Sequence, residues 1–272
     1  MRASELERWQ SRQGEIVNAH ARVGGELREL VIPSAIRDSE ANQKLLHRWV
    51  LDDVNGTVED SVGTADGANN GVTSVSGDYA GGSAGDGDGV DDFIETTPWG
   101  SFGSDMPNGF SIAFSVDSLS AASVFLGVRN SGSDETGLWA SSTATGDPEP
   151  PEDVPSLVYR SQGSSSERGA VWGATNLTDG GPYRVVFNVP GTDVSNWEVW
   201  VNQTDDTDGN ATGSDGEPTN PADFDTEVAQ FAWKDGEDGS INDHTDGVLD
   251  DICVFGDSLT QSEIGSYQNP WE

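Results

Sequence analysis

The sequence predicts a mainly β protein: one two-sheet antiparallel sandwich preceded by a short α-helical N-terminal segment. Two observations carry the sandwich. Short apolar runs alternate with polar residues at a period of two, and the chain between them is crowded with turn formers, 34 Gly among 272 residues with Asp, Ser and Thr around them. A third observation divides the chain. Residues 1–48 hold eight Lys or Arg and seven Asp or Glu, a net of +1, whereas residues 49–272 hold five and 41, a net of −36.

The first segment reads as helical. Ser4 and Glu7 fit a capping box, and Leu6, Trp9, Ile16, Val17, Val23, Leu27 and Leu30 recur at roughly helical spacing. Gly24-Gly25 breaks the first helix, Ile32-Pro33 ends the second stretch, and Ser39 to Arg48 reads as a further short helix. The segment is amphipathic and too small for a core of its own. Its side chains Leu6, Trp9, Ile16, Val23, Leu27 and Leu30 are therefore candidate assembly contacts, against the chain's own sandwich or against a partner.

The remainder, 49–272, reads as strands. Phe110–Val116 alternates apolar and polar residues, the pattern of a half-buried strand. Val124–Val128, Tyr183–Val189, Trp197–Val201 and Ile252–Phe255 are further strands, separated by long Asp/Gly/Ser/Thr/Pro loops at 143–155 and 203–223. No repeat of about 30 residues is evident, which excludes solenoids and propellers. Only 33% of residues are apolar, so the core is lean.

The charge limits the partners. A net of −35 with only two Lys strains a fold at low salt, where screening is weak, and is tolerated in brine. The composition resembles that of proteins from extreme halophiles. Nucleic acid is excluded as a partner, because it demands clustered Lys and Arg. No apolar run is long enough to span a bilayer as a helix, so no membrane insertion is expected. Cys253 is the sole cysteine, so no internal disulfide forms, and its place in a strand suits a small core side chain. The N-terminal residues lack the apolar stretch of a signal peptide.

Four stretches carry a resemblance. Trp49–Ser61 with Gly67–Val72 is similar to an opening strand and its Asn/Gly loop. Asp88-Gly-Val-Asp-Asp-Phe-Ile94, Trp197–Asn202 and Gly247–Ile264 follow in order. Together they resemble the laminin G-like jelly roll of the concanavalin A-like lectin/glucanase superfamily, over about 49–268. Gly87, where that family has Phe, and Gly256-Asp257-Ser258, in place of its basic turn, depart from the pattern. The resemblance implies a jelly-roll sandwich in which Trp49–Asp53 pairs near Asp250–Phe255.

It also implies a structural calcium near the joined terminal strands, with Asp60, Asn69, Asn70, Asp250 and Asp251 as candidate ligands and Na⁺ or K⁺ as substitutes in brine; the alternative is a hydrogen-bonded loop without metal. Trp49, Trp197 and Trp200 sit in strands and are expected in the core. Trp99, Trp139, Trp172 and Trp233 lie near loop boundaries, where aromatic faces stack on sugar rings, and are the candidate glycan-binding residues. No paired-carboxylate motif of a glycoside hydrolase is present, so no catalytic residue is assigned and the chain is not expected to be an enzyme.

The expected function is a structural protein on the exterior of a haloarchaeal virus, a turret, spike or tail fibre. It would be joined as a homo-oligomer and to other virion proteins through residues 1–48 and would present the sandwich to host surface glycans. A secreted carbohydrate-binding adhesin of a halophile and a degenerate glycoside hydrolase are the alternatives.

Overall fold

The structure is a computed structural model describing residues 19–23, 26–30, 43–77, 82–102, 109–129, 137–143, 149–160, 168–214, 216–218, 222–224, 228–235 and 240–266. Ahead of the sandwich, β1 (Ala19–Val23) and β2 (Glu26–Leu30) pair with each other as a separate antiparallel sheet, with Val23 opposite Glu26 and Ala19 opposite Leu30.

Two large antiparallel sheets follow. Sheet I contains β3 (Leu45–Trp49), β6 (Thr73–Ser76), β7 (Ser83–Asp88), β10 (Phe110–Leu119), β15 (Tyr183–Val189), β16 (Glu198–Val201), β17 (Thr204–Asp205) and β23 (Asp246–Phe255). Its order is β17-β16-β15-β10-β23-β7-β6, and β3 shares with β7 the far edge of β23. Sheet II contains β4 (Thr57–Val58), β5 (Gly67–Asn70), β8 (Phe93–Thr96), β11 (Val124–Arg129), β12 (Gly137–Ser141), β13 (Ser156–Arg160), β14 (Arg168–Gly173), β18 (Thr207–Thr212) and β20 (Val228–Gln230). Its order is β18-β14-β13-β12-β11-β20-β8-β5-β4. Strand β21 (Trp233–Asp235) joins β11 in parallel, and β22 (Ile241–Asn242) joins β21. A small pair, β9 (Gly100–Phe102) with β19 (Ala222–Phe224), stands apart, and a short helix α1 (Gln261–Ser266) follows β23.

Alternation puts one face of each sheet inside. Sheet I contributes Phe110, Ile112, Phe114, Val185, Phe187, Ile252 and Val254, and sheet II contributes Ile94, Phe125, Leu138, Leu157, Tyr159 and Val171, all at most 1% exposed. Aromatic edges cross between the layers: Phe110 meets Tyr159 at 5.5 Å and Phe114 meets Phe125 at 5.7 Å between ring centroids. Each such ring contributes roughly 1.5–3 kcal/mol when fully buried. Trp49 and Trp197 lie in this core, as expected.

Two expectations are corrected. The stretch read as helical at Val23, Leu27 and Leu30 is a β-hairpin; Leu6, Trp9 and Ile16, and the side chains of the other three, lie outside the described residues. Ala19, Ala21 and Val23 also alternate with His20 and Arg22, and a two-residue Gly-Gly between two such runs is a hairpin signal as well as a helix stop. Likewise, Leu45–Arg48 is extended rather than helical and belongs to sheet I, so the sandwich begins before the boundary drawn at 48. The C-terminal strand does meet the first sandwich strand, with a slip: Ile252 stands opposite Trp49, Val254 opposite His47 and Phe255 opposite Leu45, so 45–49 takes the place foreseen for 49–53.

Candidate functional site

The outer face of sheet II is built by simple alternation. In Gly137-Leu-Trp-Ala-Ser, Leu138 and Ala140 turn inward, leaving Gly137, Trp139 and Ser141 outside. The same rule leaves Ser156, Val158 and Arg160 of β13 outside, and Arg168, Ala170 and Trp172 of β14. Register aligns these positions in rows across the strands. One row runs Ser141, Ser156, Trp172, Gly209; the next Gly127, Trp139, Val158, Ala170, Ala211; the third Arg129, Gly137, Arg160, Arg168.

Trp139 and Trp172 are half-buried on this face, and each lies across a glycine. A Cβ on Gly137 would come within 2.4 Å of the Trp139 ring, and one on Gly209 within 2.4 Å of the Trp172 ring. Between them the floor is small: Ser141, Ser156, Val158 and Ala170 are at most 1% exposed. One strand and one row separate the two indoles, so sheet spacings put their Cα atoms about 12 Å apart. The Arg160 guanidinium stands 5.8 Å from the Trp139 ring centroid, within cation–π range.

The other predicted glycan residues divide. Trp233 stands beside Gly127 in the row of Trp139, and its side chain lies outside what the structure describes. Trp99 is not a surface aromatic: it is 7% exposed and stacks on Trp49 at 5.3 Å and His47 at 5.7 Å, with its indole N–H donating to Thr96 Oγ1. Loop position alone did not distinguish a lid on the core from a displayed ring.

The predicted metal set is also divided. Both Asp60 oxygens are occupied: Oδ2 accepts from His47 Nδ1 at 2.6 Å and Ala65 N, and Oδ1 from the amides of Arg48, Gly63 and Val62. Burial raises the Asp60 pKa, but the His47 and amide hydrogen bonds outweigh it and hold the carboxyl well below the usual range, so His47 Nδ1–H is the donor. Asn69 donates to the carbonyls of Val54 and Val72, and Asn70 donates to Ala68 O at the surface. This loop is knitted by hydrogen bonds. Asp251 forms a bidentate pair with Arg48, at 2.8 and 3.0 Å.

Asp250 differs. Between Phe114 opposite Ile252 and Val116 opposite Leu249, β23 fits two residues, Asp250 and Asp251, against one residue of β10, a bulge. Asp250 is 1% exposed, and its Oδ2 has no hydrogen-bond partner. Burial, then the charges of Asp251, Asp117 and Asp52, push its pKa up to about 7. Of the five predicted ligands, Asp250 keeps a buried carboxylate oxygen and Asn69 a buried amide oxygen, each without a hydrogen-bond partner.

A carboxylate cluster that the sequence reading did not assign lies at Asp88, Asp91 and Asp92. Among the described residues it is the one group of three His, Cys, Asp or Glu whose ligand atoms fall within 4.8 Å of one another. Three acids in five residues, inside the quoted Asp88–Ile94 motif, were the available signal. Part of this cluster is already used: Asp92 Oδ2 accepts from Asp88 N, and Asp88 Oδ1 accepts from Val90 N and Asp91 N.

The outer face of sheet I carries a recess of about 550 Å³ beside Trp200, Glu198, Thr204, Asp205 and Thr260. Trp200 is 6% exposed and spends its indole N–H on Glu198, so it belongs more to packing than to display. Among the described residues no helix is long and apolar enough to cross a membrane.

No family model matches the chain, and no curated protein is detectably similar to it. Solved structures match the fold. The binding domain of Paraclostridial Mosquitocidal Protein 1 aligns with TM-score 0.55 and 12% identity over 85% of this chain and 53% of that one. Domain 4 of AbnA, a GH43 extracellular arabinanase from Geobacillus stearothermophilus, in complex with arabinotriose, aligns with TM-score 0.53 and 18% identity over 83% and 98%. The binding domain of Botulinum Neurotoxin DC in complex with SialylT aligns with TM-score 0.53 and 11% identity over 85% and 52%. The chain thus spans about half of each toxin binding domain and nearly all of the arabinanase domain. These likenesses show a β-sandwich fold shared with such domains.

Proposed function

We propose that this protein is a non-enzymatic carbohydrate-binding sandwich displayed on the outside of a haloarchaeal virus particle, attached through the residues before Leu45. The observation that carries the binding reading is the pair Trp139 and Trp172 on one sheet face, with a floor of small residues between them. Flat rings spaced for an oligosaccharide are what sugar faces stack on. Two structures of similar fold, the arabinanase domain and the neurotoxin binding domain, were solved in complex with arabinotriose and SialylT, which supports the reading.

The attachment reading rests on β1 and β2. A two-stranded hairpin on its own is marginal in water, and burial against a partner stabilises it. Its segment also lacks the acidic excess of the rest of the chain, so covering it strands few unpaired charges. The display reading rests on the acidity of 49–272, which suits a surface in brine.

Two measurements test this. Titration with a panel of oligosaccharides, followed by Trp emission, should show saturable binding that Trp139→Ala and Trp172→Ala each weaken; no binding across the panel, or release of reducing sugar, refutes the non-enzymatic binding reading. Deleting residues 1–42 should leave a folded monomeric sandwich that no longer assembles, and assembly that survives the deletion refutes the attachment reading.

A further inference from the structure

We infer that the recess on the outer face of sheet I is a second binding site, one that takes an uncharged saccharide unit by its hydroxyl groups. It lies on the other sheet from Trp139 and Trp172 and stands independently of the reading given to that face.

A fixed carboxylate is the first argument. Asn188 of β15 stands opposite Glu198 of β16, and both line the recess with Trp200. Glu198 Oε2 accepts from Asn188 Nδ2 at 3.0 Å and from Trp200 Nε1 at 3.1 Å. Asn188 is itself held, its Oδ1 accepting from Ser111 Oγ and from Leu259 N. Two anchored donors thus converge on one oxygen. Glu198 Oε1 has no partner among the described residues and is not sealed in the interior. A carboxylate oxygen held still and left open is an acceptor prepared for a donor from outside the chain.

The adjoining turn is the second. Asn202-Gln203 joins β16 to β17, and both residues are left-handed, with φ of 49° and 64°. Such a turn favours Gly at its second position, because Gly enters that region without a steric cost. Gln203 stands there instead, and it lines the recess. A larger residue kept in a conformation that suits Gly points to a role for its side chain. The side-chain amides of Gln203 and of Gln261, at the start of α1, make no hydrogen bond to the described residues.

Size and charge set the ligand class. The recess measures about 550 Å³, within the range of roughly 300–1,000 Å³ for small-molecule sites. Glu198 and Asp205 line it, and among the described residues no Lys or Arg does, so an anion is repelled. An ammonium ion only donates, and it meets carboxylates everywhere on a chain with 48 acids. Sugar hydroxyls donate and accept, which uses the open oxygen of Glu198 together with the two free amides.

The probes are the methyl glycosides of glucose, galactose and mannose, with galacturonate as the anionic control and tetramethylammonium as the cationic one. They are titrated by calorimetry into the full chain at one fixed salt concentration. At least one glycoside should bind, and both controls should bind about tenfold more weakly or not at all. Glu198→Gln should weaken the glycoside about tenfold. Gln203→Gly should also weaken it while raising the melting temperature, a combination that a purely structural turn residue does not give. Trp139→Ala should leave this binding unchanged. Glycoside binding that Trp139→Ala abolishes and the Glu198 and Gln203 variants leave intact overturns the inference and leaves the sheet II reading standing. So does a chain that binds longer oligosaccharides at sheet II and no glycoside at the recess. Equal or tighter binding of either control overturns it by giving the recess to a charged ligand. Absence of binding by any sugar removes both readings.

Discussion

The two sheets of this sandwich treat their outer faces in opposite ways. On sheet I the chain covers itself: Ala113, Val186, Trp200, Cys253 and Phe255 pack beneath Leu259 and Ile264. Charges on that side are neutralised within the chain, Arg48 by Asp251 and Lys44 by Glu263 at 2.9 Å. On sheet II a floor of small side chains carries two half-buried indoles and a row of arginines. An aromatic ring with apolar neighbours on all sides is packing. Trp139 and Trp172 are laid over glycine and, among the described residues, belong to neither apolar cluster.

The largest effect that sharpens this contrast is that of salt. Dialysis from about 3 M to about 0.1 M salt should unfold the isolated sandwich, because screening among its excess acids is lost. Circular dichroism checks this, and unchanged melting removes the halophile reading. Next in size, Phe255→Ala should destabilise by about 3–5 kcal/mol, whereas Trp139→Ala should stay within about 1 kcal/mol while weakening sugar binding. Equal losses in denaturant melts would break the contrast between the faces.

The third prediction concerns pH. Asp250, with its pKa raised to about 7, holds a proton in the folded state that the unfolded chain has released. Stability should therefore fall as pH rises from about 4 to about 7, by a few kcal/mol, and level off above. Asp250→Asn should lose that decline. If the site takes a cation, calcium at pH 8 should raise the melting temperature of the wild type and not that of Asp250→Asn. Asp60 works in the other direction: its depressed pKa supplies stability above pH 4 that is lost as pH drops through its folded value. Asp60→Ala should remove that acid-side term, leaving His47 without its carboxylate partner. The smallest effect is that of Gly209→Ala, which should displace the Trp172 ring, seen as a shift in its emission, at a cost of about 1 kcal/mol or less.

Much of the fold was legible because alternation and turn residues are local. Phe110–Val116, Val124–Val128 and Tyr183–Val189 were readable as strands, and the pairing of the last strand with the first followed from the resemblance at Gly247–Ile264. The hairpin at 19–30 was not legible, because Val23, Leu27 and Leu30 satisfy a helical period as well as an extended one, and pairing decided between them. Three of the four tryptophans chosen for display, Trp139, Trp172 and Trp233, are in outer rows of sheet II. Trp99 went to the core, since a loop folds back as readily as it projects. The pairing of Arg160 with Arg168 was invisible in sequence, because the two become neighbours only through the register of β13 and β14.

The position of β23 has a consequence for how the chain comes to be folded. It is an interior strand of sheet I, flanked by β10 on one side and by β7 and β3 on the other, yet it follows all of these strands in the chain. Arg48 waits 203 residues for Asp251. Until then two long strand edges stand open, and contacts of such separation form slowly. A chain stopped short of residue 246 is thus a sheet split down its middle, more apt to join another such chain than to fold.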